Sequence, residues 1–212
     1  MLLSLLLAAV PQDTAASETY VFSPRDEAPA TTPSTQRTKV SGKELRATGG
    51  RSLPQMISRA TGVWMQETNL GGGSAFIRGL TGNQIVIVVD GVRLNDATTR
   101  FGPNQILNTI DPYIIDSVEI IRGPASVLYG SDAIGGVILI NTRRELPAAG
   151  AGARFAIDAR GVSAVEGGSV SPAFGFRDAT QGLLFVGSLF TFDDINTGTG
   201  MEAPTGYDSW AG

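Results

Sequence analysis

The chain has 212 residues, 42% of them apolar and 17% charged, a globular balance with enough length for one packed domain and part of another. Its 16 basic and 20 acidic residues leave a net charge of −4 with no basic block, so the Lys/Arg stripe of a nucleic-acid surface is missing and no nucleic-acid partner is expected. Neither Cys nor His occurs in the sequence, which removes thiol catalysis, imidazole bases, thiolate metal sites and haem ligation by imidazole.

The apolar run Leu2 to Val10, broken by Pro11, is far shorter than the ~20 residues of a spanning helix. It suits the hydrophobic region of a secretory signal, with Thr14-Ala15-Ala16 as small residues for cleavage, although no Lys or Arg precedes it. Ser17 to Thr35 carries Pro24, Pro29 and Pro33 among Ser, Thr, Ala and charges, and reads as an extended leader. Within it, Glu18-Thr19-Tyr20-Val21-Phe22-Ser23 alternates and is rich in β-formers, so it favours a strand where a partner offers an edge.

From about Gln36 to Arg144 short elements alternate. Ser41-Gly42-Lys43-Glu44 reads as a capping box that opens a helix ended by Gly49-Gly50, and Ser52-Leu53-Pro54-Gln55 as a second box. The second helix should put Leu53, Met56, Ile57 and Ala60 on one face and stop at Gly62. Val63 to Gln66 reads as a strand, Gly71-Gly72-Gly73 as a loop, and Ala75-Phe76-Ile77-Arg78 as a strand. Ile85 to Val89 is a β-branched run suited to a strand buried on both faces. Asp90 and Gly91 join it to Val92-Arg93-Leu94-Asn95 as a hairpin turn, because both residues accept the positive φ of a type I′ turn.

Asp96 to Pro103 is a polar loop, and Asn104 to Asn108 a helical turn. Asp116 to Ile121 reads as a strand. Gly123 to Gly130 suits one or two helical turns with Pro124 at the first position, and Gly136 to Asn141 an apolar strand. The pattern is α+β around a small sheet. Beyond Pro147 the texture changes: Phe155, Ile157 and Ala159 alternate with Arg154, Asp158 and Arg160, and Val170 to Arg177 repeats the pattern. A half-buried soluble strand or a membrane-barrel strand would both show this. A turn at Asp178-Ala179-Thr180 leads into Leu183 to Phe192, where alternation is poorer.

Enzyme motifs fail. Gly71-Gly72-Gly73 lacks the Gly-Lys-Ser/Thr of a phosphate loop, no G-x-S-x-G elbow occurs, and Asp193-Asp194 reads as a solvated turn. No catalytic residue, metal ligand or cofactor is assigned.

A constellation stands out instead: Phe76-Ile77-Arg78-Gly79, Val88-Val89-Asp90-Gly91-Val92, Val118-Glu119-Ile120-Ile121-Arg122-Gly123-Pro124, Leu128-Tyr129-Gly130 and Gly135-Gly136-Val137-Ile138-Leu139-Ile140. In this order and spacing it resembles the plug domain of TonB-dependent outer-membrane receptors, over about Ser41 to Arg144. The resemblance implies a signal peptide (1–16), a leader with a TonB box at Glu18, Thr19, Tyr20, Val21, Phe22 and Ser23 (17–35), and a small mixed-sheet plug (36–146). The first antiparallel strands of an incomplete transmembrane β-barrel follow (147–212). In that family the plug sits inside a barrel of roughly 22 strands.

Arg78 and Arg122 match plug arginines that pair with glutamates on the barrel wall, a contact suited to the bidentate guanidinium fork. Outward loops of the family contact ligand; the corresponding stretches here are Thr68 to Ser74, Leu80 to Gln84 and Ala97 to Pro103, with Gly73, Asn83, Thr99, Arg100 and Phe101 as candidate contacts for an iron chelate or similar small ligand. The expected partners are TonB, the rest of the barrel and the outer membrane. Pro147 to Gly212 has room for roughly three or four strands of about ten residues, and a partial barrel cannot span a bilayer. The chain is therefore expected to be a fragment that does not transport by itself. The alternatives are a stand-alone periplasmic module that binds a ligand or TonB, and a non-functional gene fragment.

Overall fold

The computed structural model describes residues 9–11, 36–69, 72–95, 102–144, 151–162, 167–178, 180–193, 195–196, 202–203 and 206–211. The chain divides into two compact units, Ser17–Thr142 and a second made of Met1–Ala16 with Arg143–Gly212. A three-residue strand, β1 (Ala9–Pro11), belongs to the second unit.

The first unit is built on a five-stranded mixed sheet. Its members are β2 (Gln36–Ser41), β5 (Ile85–Val89), β6 (Val92–Arg93), β7 (Ile115–Arg122) and β8 (Gly136–Thr142), in the order β2-β7-β8-β5-β6. β5 and β8 run parallel, Ile87 opposite Ile138, and every other pairing is antiparallel. This arrangement is the α+β mixed sheet that the alternating short elements imply. Ile85, Val86 and Ile87 are buried and Val88 and Val89 half-buried, because β5 lies between two strands with apolar cover on both sides.

Successive side chains of a strand point to opposite faces, so each central strand feeds two cores. Ile85, Ile87, Ile120, Ile138 and Ile140 pack with Leu45 of α1 (Gly42–Ala47), Leu53, Met56 and Ile57 of α2 (Leu53–Ile57) and Leu107. The hairpin of β3 (Val63–Asn69) and β4 (Gly72–Ile77) adds Val63, Met65, Ala75 and Ile77 to this side. Val86, Ile121 and Val137 face the other way and meet Ala125, Ala133 and Tyr129 around α3 (Ser126–Tyr129).

The capping box at Ser41 is present: its hydroxyl accepts from the Glu44 N–H at 3.2 Å, and the Glu44 carboxylate accepts from the Ser41 N–H at 2.9 Å. The second box does not form. Ser52 is the N-cap of α2 but makes no side-chain cap bond, and Gln55 Oε1 accepts from the N–H of Arg51 at 2.7 Å. The Gln55 side chain, which a box would aim at the Ser52 N–H, is taken instead by the N–H and Nε of Arg51. Two further expectations are corrected. Pro124 precedes α3, whose cap is Ala125, and the glycine loop is shorter than expected because Gly72 and Gly73 belong to β4.

In the second unit β9 (Gly152–Val162) and β10 (Gly167–Arg177) pair along their whole length, 11 residues each. β11 (Gln181–Val186) and β12 (Ser188–Phe192) lie along the other edge of β10 in a common register, Ala173 opposite Val186 and Val170 opposite Leu189. They form one run interrupted at Gly187. A minor pair, β13 (Ile195–Asn196) with β14 (Glu202–Ala203), stands apart, while β15 (Tyr207–Ala211) adds to β12 and β1 to β11.

Register places Phe155 beside Phe174 and Phe174 beside Phe185 on one face, with Ile157, Val170, Leu189 and Trp210. Phe155, Ile157 and Trp210 are 66%, 59% and 68% exposed, so this apolar face is uncovered. Ser169, Ser171, Ala173 and Ser188 occupy the opposite face and are buried; Phe190 and Phe192 share it, which is why alternation weakens there. Among the described residues the strands do not close into a barrel, and no helix is long and apolar enough to cross a membrane.

Candidate functional site

Two cationic side chains mark one end of the five-stranded sheet. β4 ends at Ile77, which exchanges both backbone hydrogen bonds with Leu80 at 3.0 Å. The two residues between them, Arg78 and Gly79, have φ of 54° and 81°. Positive φ at both centres is type I′ geometry, and a non-glycine residue adopts it rarely. Arg78 therefore lies at a turn apex and not within a strand. The turn projects its side chain outward, and the residue is exposed.

The Arg78 guanidinium rests on Gly123, where a Cβ would stand 2.9 Å from Nη1 and where φ is 106°. The backbone conformation is what requires glycine at 123, since the flexible end of the Arg78 side chain could move aside for a Cβ. Among the described residues, no hydrogen bond or ion pair engages the Arg78 guanidinium.

Arg122, the last residue of β7, adjoins Gly123 but is held differently. It is 7% exposed, and its Nη1 donates to Thr38 Oγ1 at 2.7 Å and to the Thr61 carbonyl at 2.6 Å. Its Nε is buried without a hydrogen-bond partner, and among the described residues no carboxylate pairs with it. A buried cation held only by neutral oxygens retains strong electrostatic demand for an anion. The Arg78 guanidinium thus lies over Gly123, whereas the Arg122 side chain runs against Gly62, where a Cβ would stand 2.7 Å from its Cδ.

The opposite end of the sheet carries the Asp90-Gly91 turn, with φ of 47° and 85°, joining β5 to β6 as expected. Ion pairs lie elsewhere in the unit: Arg37 with Glu119 at 2.7 Å across β2 and β7, and Arg93 with Asp132 beside α3.

Of the candidate ligand contacts, Thr99, Arg100 and Phe101 lie outside the described residues, as does the segment Glu18 to Ser23. Asn83 is half-buried in a 3-10 turn, Gly82–Gln84. Gly73 is buried in β4, where a Cβ would stand 2.7 Å from that of Pro54; this position supports α2 and is not an open loop.

Sequence reasoning missed two asparagines. Asn95 is 5% exposed; its Oδ1 accepts from the Ile87 N–H at 2.7 Å and its Nδ2 donates to the Ile85 carbonyl at 2.9 Å, extending the edge of β5 beyond β6. Asn108, in the turn Ile106–Thr109, accepts from the Gly73 N–H at 3.1 Å and donates to the Gly73 carbonyl at 3.3 Å. Each amide stands in for a strand neighbour. The only trace in sequence is an asparagine near a strand or turn end, which is too common to single out.

Residues 29–137 match the family model of the TonB-dependent receptor plug domain. The chain is 41% identical over 107 residues to the vitamin B12 transporter BtuB of Vibrio vulnificus (strain CMCP6), an alignment that covers 50% of this chain and 17% of that protein. Among solved structures it resembles the copper transporter OprC, with a TM-score of 0.67 and 21% identity over 82% of this chain and 26% of the other. It also resembles the ferric yersiniabactin uptake receptor FyuA from Yersinia pestis, with a TM-score of 0.55 and 26% identity over 76% and 24% of the two chains.

Proposed function

The chain belongs to the TonB-dependent receptor plug family, and on that premise we propose that it is the gate and first wall strands of an outer-membrane receptor for energy-coupled uptake of a scarce solute. Its match to the vitamin B12 transporter of Vibrio vulnificus spans about a sixth of that protein's length, so the rest of a barrel would come from sequence outside these 212 residues. The observation that carries the reading is the combination of a plug-type mixed sheet with a second sheet whose exposed face is apolar and whose long strands have 11 residues. Transmembrane barrel strands need about 9–11 residues and present apolar side chains to lipid.

In this reading Arg78 and Arg122 meet carboxylates on the barrel wall. Charge-assisted pairs of this kind locate the plug and stay breakable, since their net strength is a small difference between Coulomb attraction and desolvation. Ligand bound on the outer side makes the Glu18 to Ser23 segment available to periplasmic TonB, which pairs with it by strand addition and shifts the plug. The relatives are named for vitamin B12, copper and ferric yersiniabactin, so the solute class is a metal chelate or metal-bearing cofactor, among them ferric siderophores, haem and cobalamin, or else a glycan. The likeness to a vitamin B12 transporter makes cobalamin the first to test.

The test is uptake of radiolabelled cyanocobalamin and of a panel of ferric siderophores by cells carrying the full-length receptor. Deleting Glu18 to Ser23 abolishes uptake of the active solute and leaves its binding intact. Undiminished uptake would remove the role of that segment. A second reading, a periplasmic module that binds ligand or TonB alone, has in its favour that the first unit closes its own core. An in-frame barrel sequence beyond Gly212 in the genome decides against it.

A further inference from the structure

Asn108 joins two segments that are distant in the chain. Gly73, near the start of β4, and Asn108 are 35 residues apart, yet one amide satisfies both the N–H and the C=O of that glycine. The same Nδ2 donates to the Gln105 carbonyl at 2.8 Å, so the side chain is also fixed within its own turn. Gly73 in turn lies against Pro54 of α2, too close for any side chain. The end of the β3–β4 hairpin is thereby held between a helix on one side and the Gly102–Thr109 stretch on the other.

We infer that Asn108 is a positioning residue that couples the β3–β4 end to the Gly102–Thr109 stretch, so that the two segments form one rigid surface for ligand. The inference rests on the plug reading, under which both segments face the ligand side. Two features separate this contact from ordinary satisfaction of a buried amide. First, its two side-chain hydrogen bonds to Gly73 tie β4 to this stretch in place of the continuous ladder that a neighbouring strand would provide. Second, the amide supplies a donor and an acceptor at once, which no carboxylate, hydroxyl or amine reproduces in the same geometry at neutral pH. Leu107 packs in the same core as Ala75 and Ile77 of β4, and the Asn108 pair of hydrogen bonds fixes the alignment of the two segments beyond what that apolar packing supplies.

The test uses the full-length receptor with spin labels at Glu67→Cys and Thr109→Cys, both exposed positions, one on each segment. With Asn108 present the interspin distance distribution is narrow. Asn108→Ala broadens it at least twofold, and Asn108→Asp, which keeps the acceptor and loses the donor, gives an intermediate width. Hydrogen exchange of Ile85–Val89 and Gly136–Ile140 is read in the same samples and stays at the unsubstituted rate. An unchanged width in Asn108→Ala overturns the inference; so does broadening accompanied by faster exchange of those strands, which would make Asn108 a general support of the fold. Failure of the uptake reading appears separately, as uptake that survives loss of Glu18 to Ser23, and leaves the spin-label result standing.

Discussion

The carboxylate of Asp90 holds Thr142 at two points: Oδ1 accepts from its backbone N–H at 2.8 Å and Oδ2 from its hydroxyl at 2.5 Å. Asp90 is 52 residues from Thr142 in sequence, and Thr142 is the last residue of the first unit. The turn that joins β5 to β6 therefore also ties down the end of β8, where the chain leaves the plug. Asp90 has a φ of 47°, so the side chain is displayed by a backbone conformation that few residues accept.

Substitution at this position separates the two contributions. Asp90→Asn keeps tolerance of the left-handed region and one acceptor, and is expected to lower stability by about 1 kcal/mol. Asp90→Ala loses both bonds and adds backbone strain, for a loss of about 2–4 kcal/mol. Urea denaturation of the chain measures both, and equal losses in the two variants would refute the separation.

The Ser41 capping box gives a pH-dependent prediction. The backbone N–H of Ser41, and then its hydroxyl, bond to Glu44 and hold its carboxyl below the usual carboxylate range. A depressed folded-state value means that the ionised form is favoured by folding, so the stabilisation is present above the ordinary glutamate range and is lost as pH falls through the depressed value. Glu44→Gln should flatten the acid limb of the stability curve and leave the neutral region less affected. Ser41→Ala should cost about 1 kcal/mol at neutral pH. The denaturation midpoint, followed from neutral to acid pH, checks both; an unaltered acid limb in Glu44→Gln would contradict the assignment.

What the sequence made legible was local. The Ser41 box, the Asp90-Gly91 turn and the alternation of Phe155, Ile157 and Ala159 each follow from neighbouring residues and their backbone preferences. What it hid depended on distant partners or on an unusual conformation. The parallel pairing of β5 with β8 joins segments some fifty residues apart, and no local pattern encodes it. Arg78 reads as the end of a strand because arginine seldom takes positive φ; the tertiary contact over Gly123 accompanies a turn that propensity disfavours. The amides of Asn95 and Asn108 leave no periodicity to detect. Of the site itself, the two arginines were legible by motif, but their opposite burial was not.

The exposed face of the second unit yields a membrane test. Phe174 lies across from Phe155 and Phe185 near the middle of β10. If this face meets lipid, Phe174→Arg in the full-length receptor should destabilise the inserted barrel by about 2–4 kcal/mol, the range for a basic residue at the bilayer midplane. Asp158→Ala, on the opposite face, should have a much smaller effect. Folding into phospholipid vesicles, followed by resistance to denaturant, reads the difference, and equal tolerance of the two substitutions would mean that the face is not against lipid.

The contrast between Arg122 and Arg78 divides packing from docking. Arg122 is buried and supplies donors to Thr38 and to the Thr61 carbonyl, so Arg122→Ala should cost the 212-residue chain about 1–3 kcal/mol through acceptors left unpaired. Arg78 is exposed and has no partner among the described residues, so Arg78→Ala should leave the stability of this chain within about 0.5 kcal/mol of the parent. In the full-length receptor the order changes if Arg78 meets a wall carboxylate. Arg78→Ala then loosens the plug, read as increased leakage of small antibiotics through the outer membrane, and a charge reversal at the opposing wall residue worsens a conservative Arg78→Lys variant. If Arg78→Ala is silent in both settings, the exposed guanidinium is a surface group, and the docking role falls to Arg122 alone.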